Sequence, residues 1–253
     1  MRTSRVSAIA GAIAVAAATC PTATADNALP SCRQAAAVIN PDHQLEHVDC
    51  HLRSDDRIGL GFDVTYWPTG DAAPKAAKVV VTGPSGEVTQ TIDELLERSS
   101  PAGVGLQDLD GDGRDEVIIP MGRAPFNGGL NTRFSVWRPV GDSMHFERAQ
   151  MVGQAVYPSG DGYVVTNGGA LTSRDLTFYQ PTAAGFTLIV SLTISAEQVE
   201  PGTGRVLKVS CRAHQQQGLQ MAGMDVSQAE DTFCSSPAAR AIWPDAERVQ
   251  IRR

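Results

Sequence analysis

Apolar residues along this chain recur mainly at every second position, in short runs closed off by glycine, proline, aspartate or asparagine. Val190, Leu192 and Ile194 alternate with Ser191 and Thr193, the period of a strand with one buried face. Lys78–Thr82 is β-branched, Gly83-Pro84-Ser85-Gly86 turns the chain, and Glu87–Ile92 alternates back, which predicts a hairpin. Further strands are predicted at Arg133–Arg138, His145–Met151, Gly162–Thr166, Leu176–Gln180, Thr187–Ser195 and Arg205–Arg212. Turns fall between them at Gly141-Asp142, Ser159–Gly162, Thr182–Gly185 and Pro201–Gly204. Helical signals are few. Asp93–Ser99 predicts one or two turns capped by Asp93, and Ser236-Pro237 predicts the start of a short helix near Ala238–Trp243. The stretch from Gln215 has no clear period. The pattern as a whole predicts an all-β protein, a small antiparallel propeller-like or sandwich fold.

The first 25 residues change the boundaries of that reading. Arg2 and Arg5, the apolar run Ala8–Ala18 and Ala23-Thr24-Ala25 form the three parts of a signal peptide. The run is shorter than the ~20 apolar residues a membrane helix needs. Release after Ala25 is favoured over lipidation of Cys20, because Ala17-Ala18-Thr19 is a poor lipobox. Residues 26–253 are then a single exported, periplasmic or secreted, β-rich domain. Loss of the two leader arginines takes the formal net charge from −7 to −9. That sign argues against nucleic acid and anionic membranes and suits a basic partner. Cys32, Cys50, Cys211 and Cys234 remain, an even set that favours two disulfides in an oxidising compartment. Three pairings are possible. Sequence proximity suggests Cys32–Cys50 and Cys211–Cys234, each closing a loop worth about 3 kcal/mol by loop entropy.

The most specific chemistry lies at Asp108-Leu-Asp-Gly-Asp-Gly-Arg-Asp-Glu116. Asp108, Asp110, Asp112 and Glu116 stand at positions 1, 3, 5 and 9 of an oxygen-donor loop, and Arg114 at position 7 offers its backbone carbonyl. Gly111 and Gly113 let the chain turn tightly enough for the carboxylates to converge. Five acids in nine residues repel one another without a cation, and Ca²⁺ accepts such an all-oxygen cage. Position 12 is Ile119 where an EF-hand has glutamate, so a strand, not a helix, is expected to follow at Glu116–Pro120.

Other candidate chemistry is thinner. His43, His47 and His51 are four apart and would share one face of a helix or one side of a strand, but nothing organises a second shell, so exposed polar histidines are expected over metal ligands. No serine sits in a Gly-x-Ser-x-Gly elbow, and no carboxylate pair is singled out, so an enzyme is not expected. Ser159-Gly160-Asp161-Gly162-Tyr163 is expected to display Ser159 and Tyr163 as a partner-binding loop, with Asn167-Gly168-Gly169-Ala170 as a second tight turn.

The calcium loop with Val117-Ile118-Ile119 resembles the loop of FG-GAP and VCBS repeats, although here it occurs once. Residues 76–195 resemble a group of small periplasmic proteins on several segments: Gly86–Ile92, Asn131–Trp137, Phe178-Tyr179-Gln180 and Gly185–Ile189. That group includes immunity proteins of bacterium-killing type IV secretion systems and is similar to periplasmic inhibitors of invertebrate-type lysozyme. Residues 200–253 read as an irregular C-terminal extension beyond the likeness. The resemblance implies a calcium-bound propeller-like fold whose Ser-Gly-x-x-Tyr loop, matched by Ser159, Gly160 and Tyr163, plugs the cleft of a lysozyme-like peptidoglycan hydrolase. The alternative expectation is a secreted structural or adhesion module with a calcium staple and no inhibitory activity.

Overall fold

A computed structural model describes residues 29–32, 47–69, 73–97, 99–126, 129–214 and 217–249. The expected signal peptide, Cys20 and His43 lie outside them. Within the described residues the chain lays down three largely antiparallel sheets, one after another. The first runs β1 (Cys50–Arg53), β2 (Gly61–Thr69), β3 (Ala73–Thr82) and β4 (Val88–Leu95), in that order. The second runs β5 (Gly105–Gln107), β6 (Glu116–Phe126), β7 (Gly129–Pro139) and β8 (Phe146–Gly153). The third holds β9 (Ala155–Pro158), β10 (Val164–Ala170), β11 (Ser173–Thr182), β12 (Gly185–Val199) and β13 (Val206–His214). Three helices follow, α1 (Gln217–Met221), α2 (Val226–Phe233) and α3 (Pro237–Ala241), before β14 (Glu247–Val249) pairs parallel to β13. The all-β expectation holds.

The strand patterns show how these layers stack. In β6, Val117 and Ile119 pack with Phe62, Val79 and Ile92 of the first sheet, while Ile118 packs with Phe134, Met151 and Val164. Glu116–Pro120 is a continuous buried run because the second sheet is covered on both faces. In β10, Val164 faces the second sheet and Val165 faces Leu219, Ala229 and Phe233 of the helices. The order is therefore first sheet, second sheet, third sheet, helices, each layer's inner residues alternating with the next.

Two expectations need correction. Asp93–Ser99 was expected to start a helix, yet Asp93–Leu95 continues β4, with Lys78 opposite Asp93 and Ala76 opposite Leu95. An extended backbone turns Glu94 inward, where its carboxylate accepts from Ser135 Oγ, Trp137 Nε1 (3.0 Å) and Arg148 Nε (2.5 Å) and Nη2 (3.1 Å). A buried carboxylate so fully bonded outweighs a local helical preference. Asn167–Ala170 was expected to turn and instead lies within β10. Gly168 lets the strand pass close to the buried Asn131 amide, which a Cβ would approach to 3.2 Å.

The region from Gln217 also holds more order than its sequence suggested. Asp225 and Gln228 form a reciprocal capping box at the start of α2. Ser236 caps α3 with Pro237 in its first turn, as expected.

Candidate metal centre

β5 and β6 pair with Gln107 opposite Glu116, so residues 108–115 form the loop that joins them. Gly111 and Gly113 take φ values of +74° and +81°, which only glycine adopts without strain. Asp108 folds over them, Oδ1 accepting from Gly111 N at 2.8 Å and Oδ2 from Gly113 N at 3.0 Å. Asp110 is fixed by Asp112 N on Oδ1 (3.2 Å) and by Arg138 Nε on Oδ2 (2.7 Å). At the foot of the loop Glu116 is fully buried, and its Oε2 accepts from Leu109 N at 2.7 Å. Carboxylate oxygens of Asp108, Asp110 and Glu116 lie within 4.8 Å of one another.

The second oxygen of Glu116 is the informative atom. Oε1 is buried without a hydrogen-bond partner. Burial, and then the negative charge of Asp110, Asp112 and Asp108, pushes the Glu116 carboxyl up to about 9 against the opposing bond from Leu109. A buried carboxylate oxygen with no donor is costly by itself. A hard divalent ion would satisfy it and remove the mutual repulsion of the three acids, so the donor set fits Ca²⁺. Gln107, directly across the ladder, also has a buried Oε1 with no partner, an oxygen the loop motif does not include.

The remaining sequence-assigned residues divide. Asp112 is exposed and stands apart from the three converging carboxylates, its Oδ1 accepting from Arg114 N at 2.8 Å. Burial and Asp110 raise its carboxyl. Arg114 points its side chain away from the cluster. Its guanidinium is 2% exposed, pairs with Asp56 at 3.0 Å, and donates to the carbonyls of Gly141 (2.8 Å) and Ser143 (3.1 Å). Burial would raise the Asp56 carboxyl, but donors from Gly59, Arg114, Ile58 and Ser54 hold it below its usual value. Asp115 accepts from Asp55 N at 3.1 Å. These contacts lash the loop to the β1–β2 connection and to the β7–β8 turn. Sequence spacing gave no sign of Asp56 or Arg138, since both are distant in the chain.

Of the residues assigned to the loop at Ser159–Tyr163, Gly160 is exposed, Tyr163 is half-buried and Ser159 is buried. Ser159 is 3% exposed, and its hydroxyl donates to Asp161 Oδ1 and accepts from Tyr163 N at 3.1 Å. Ser159 N also closes on Tyr163 O at 2.8 Å. The Tyr163 ring packs edge-on against Phe178 and Phe233, the latter 5.1 Å away, and Pro237 lies over Gly160. Packing an aromatic ring on two others is worth more than presenting it wholly to water, so Tyr163 lies half-buried against the core. Gly160, Asp161 and Gly162 stay exposed at the tip.

Both disulfides form as proximity suggested, Cys32–Cys50 and Cys211–Cys234. They fit an extracytoplasmic protein. Among the described residues no helix is long and apolar enough to cross a membrane. His47 and His51 do not share a site: His47 Nε2 bonds Ser100 Oγ at 3.1 Å and His51 Nδ1 bonds Asp63 at 2.7 Å.

No protein-family model matches the chain, and no curated protein matches it in sequence. Among solved structures it is similar to a Xanthomonas type IV secretion system related protein at 16% identity and a TM-score of 0.43. That likeness covers 71% of this chain and 93% of the other.

Proposed function

We propose that this is an exported calcium-binding protein that acts by binding and not by turnover, as an inhibitor or immunity protein against lysozyme-like peptidoglycan hydrolases. The observation that carries the calcium reading is Glu116 Oε1, buried and unpartnered beside Asp108 and Asp110. Asp108, Asp110 and Glu116 would hold the ion with their carboxylates, and the Arg114 carbonyl and Asp112 would complete its shell. The ion would supply charge neutralisation and bracing, with no chemical step routed through it.

The inhibitor reading is supported by the sequence likeness over residues 76–195 and by a net charge of −7, or −9 without the two leader arginines, which speeds encounter with a basic enzyme. With Ser159 and Tyr163 folded inward, contact with a target would fall to the exposed tip Gly160-Asp161-Gly162 and its surroundings. Purified protein should slow a peptidoglycan-lysis assay for at least one lysozyme class. Undiminished lysis across all classes would remove the inhibitor reading and leave the calcium one standing. The inward packing of Tyr163 favours a second reading, a calcium-stapled structural or adhesion module, which the same assay separates from the first.

A further inference from the structure

Asp108, Asp110, Asp112 and Glu116 place four carboxylates in one loop, more negative charge than one divalent ion balances. The fold supplies a cation of its own. Arg138, on β7, sets Nε 2.7 Å from Asp110 Oδ2, and the Asp110 side chain is only 1% exposed. The same guanidinium donates Nη1 to Thr182 O at 2.5 Å and lies 5.6 Å from the centre of the Phe186 ring. Thr182 and Phe186 flank the β11–β12 turn, so the cation is held between two sheets.

We infer that Arg138 is the resident counter-cation of the metal loop: it sets the affinity of the site and its preference between divalent and trivalent ions, and ties the loop to the β11–β12 turn. The inference rests on the calcium reading and concerns a residue outside the loop. Two effects of Arg138 oppose each other. Its charge repels an arriving cation at close range through a partly buried medium. Its hydrogen bond also positions Asp110, but Asp112 N already holds the other oxygen at 3.2 Å, so positioning survives without it. Repulsion therefore outweighs positioning. It also rises with the charge of the ion, so a trivalent ion suffers it more.

The test uses full-length protein freed of metal by chelation, titrated calorimetrically with CaCl₂ and separately with TbCl₃, with melting measured in chelator. Arg138→Gln should bind Ca²⁺ about tenfold tighter, gain more for Tb³⁺, and melt lower without metal. Arg138→Lys keeps the charge but not the planar fork, and should bind both ions more weakly than Arg138→Gln does. Should Arg138→Gln not fold, Arg138→Met carries the same expectation. A residue with a merely structural role would lose affinity and stability together. Equal or weaker Ca²⁺ binding by the neutral variants overturns the inference. A wild-type protein that takes up no ion overturns the calcium reading itself, and a titration of that protein alone distinguishes the two failures.

Discussion

Two turns in this chain are written in nearly the same residues, Asp and Gly alternating, and they end in opposite states. Around Asp108–Glu116 the hydrogen bonds leave three carboxylates facing one another and a buried oxygen with no donor. Around Ser159–Tyr163 every named group closes on another: Ser159 on Asp161 and Tyr163, and the Tyr163 ring on Phe178 and Phe233. The first turn leaves one buried oxygen without a donor, whereas the second bonds to itself and packs its ring on the core. Composition alone does not separate them. What separates them is whether the surrounding layers supply partners: β11 and the helices do for Tyr163, and nothing among the described residues does for Glu116 Oε1.

The sharpest ways to break this contrast act on what closes or anchors each turn. Phe233→Ala should cost about 4 kcal/mol by deleting a fully buried ring, and should leave Tyr163 open to solvent quenchers of its fluorescence. Denaturant unfolding with unchanged midpoint would show that the helices do not close the second turn. Asp56→Ala should cost about 3 kcal/mol, because it strands the buried Arg114 guanidinium that anchors the first turn from behind. A loss within error of zero would show that the anchor is idle.

Glu116→Gln gives a smaller effect with a more telling sign. Without calcium the variant should melt as high as the wild type or higher, since it removes a desolvated acid beside two others. With calcium at a hundredfold excess over Kd, the wild type should gain about 2.7 kcal/mol and the variant close to nothing. Equal gains in the two proteins would mean the ion sits elsewhere. The smallest effect expected is for Ser159→Ala, about 1 kcal/mol by denaturant unfolding, from the lost donor to Asp161 and the unmet Tyr163 N.

Most strands were legible because their inward residues repeat at every second position: Val79 and Val81 of β3, and Val190, Leu192 and Ile194 of β12, are all buried. The turn at Gly83–Gly86 and the cap at Ser236 were legible because local chemistry suffices for both. The convergence of Asp108, Asp110 and Glu116 was legible for the same reason, as the three lie within nine residues of one another. The extension of β4 through Leu95 was not, because the bonds that hold Glu94 come from Ser135, Trp137 and Arg148, more than 40 residues on. Arg138 and Gln107 stayed hidden likewise: their places at the site depend on strand register and on the stacking of two sheets. Tyr163 was misjudged because a Gly-flanked aromatic looks exposed until the helix carrying Phe233 is laid over it. The Asp225/Gln228 capping box was present in the sequence as Asp-x-x-Gln and marks the start of that helix.

The central claim is that an ion completes the loop at Glu116. It is tested most directly by calorimetric titration of chelated protein with calcium, paired with melting curves in calcium and in chelator. One ion per chain and a higher melting temperature with calcium are the results expected. No heat of binding, together with superimposed melting curves, would contradict it.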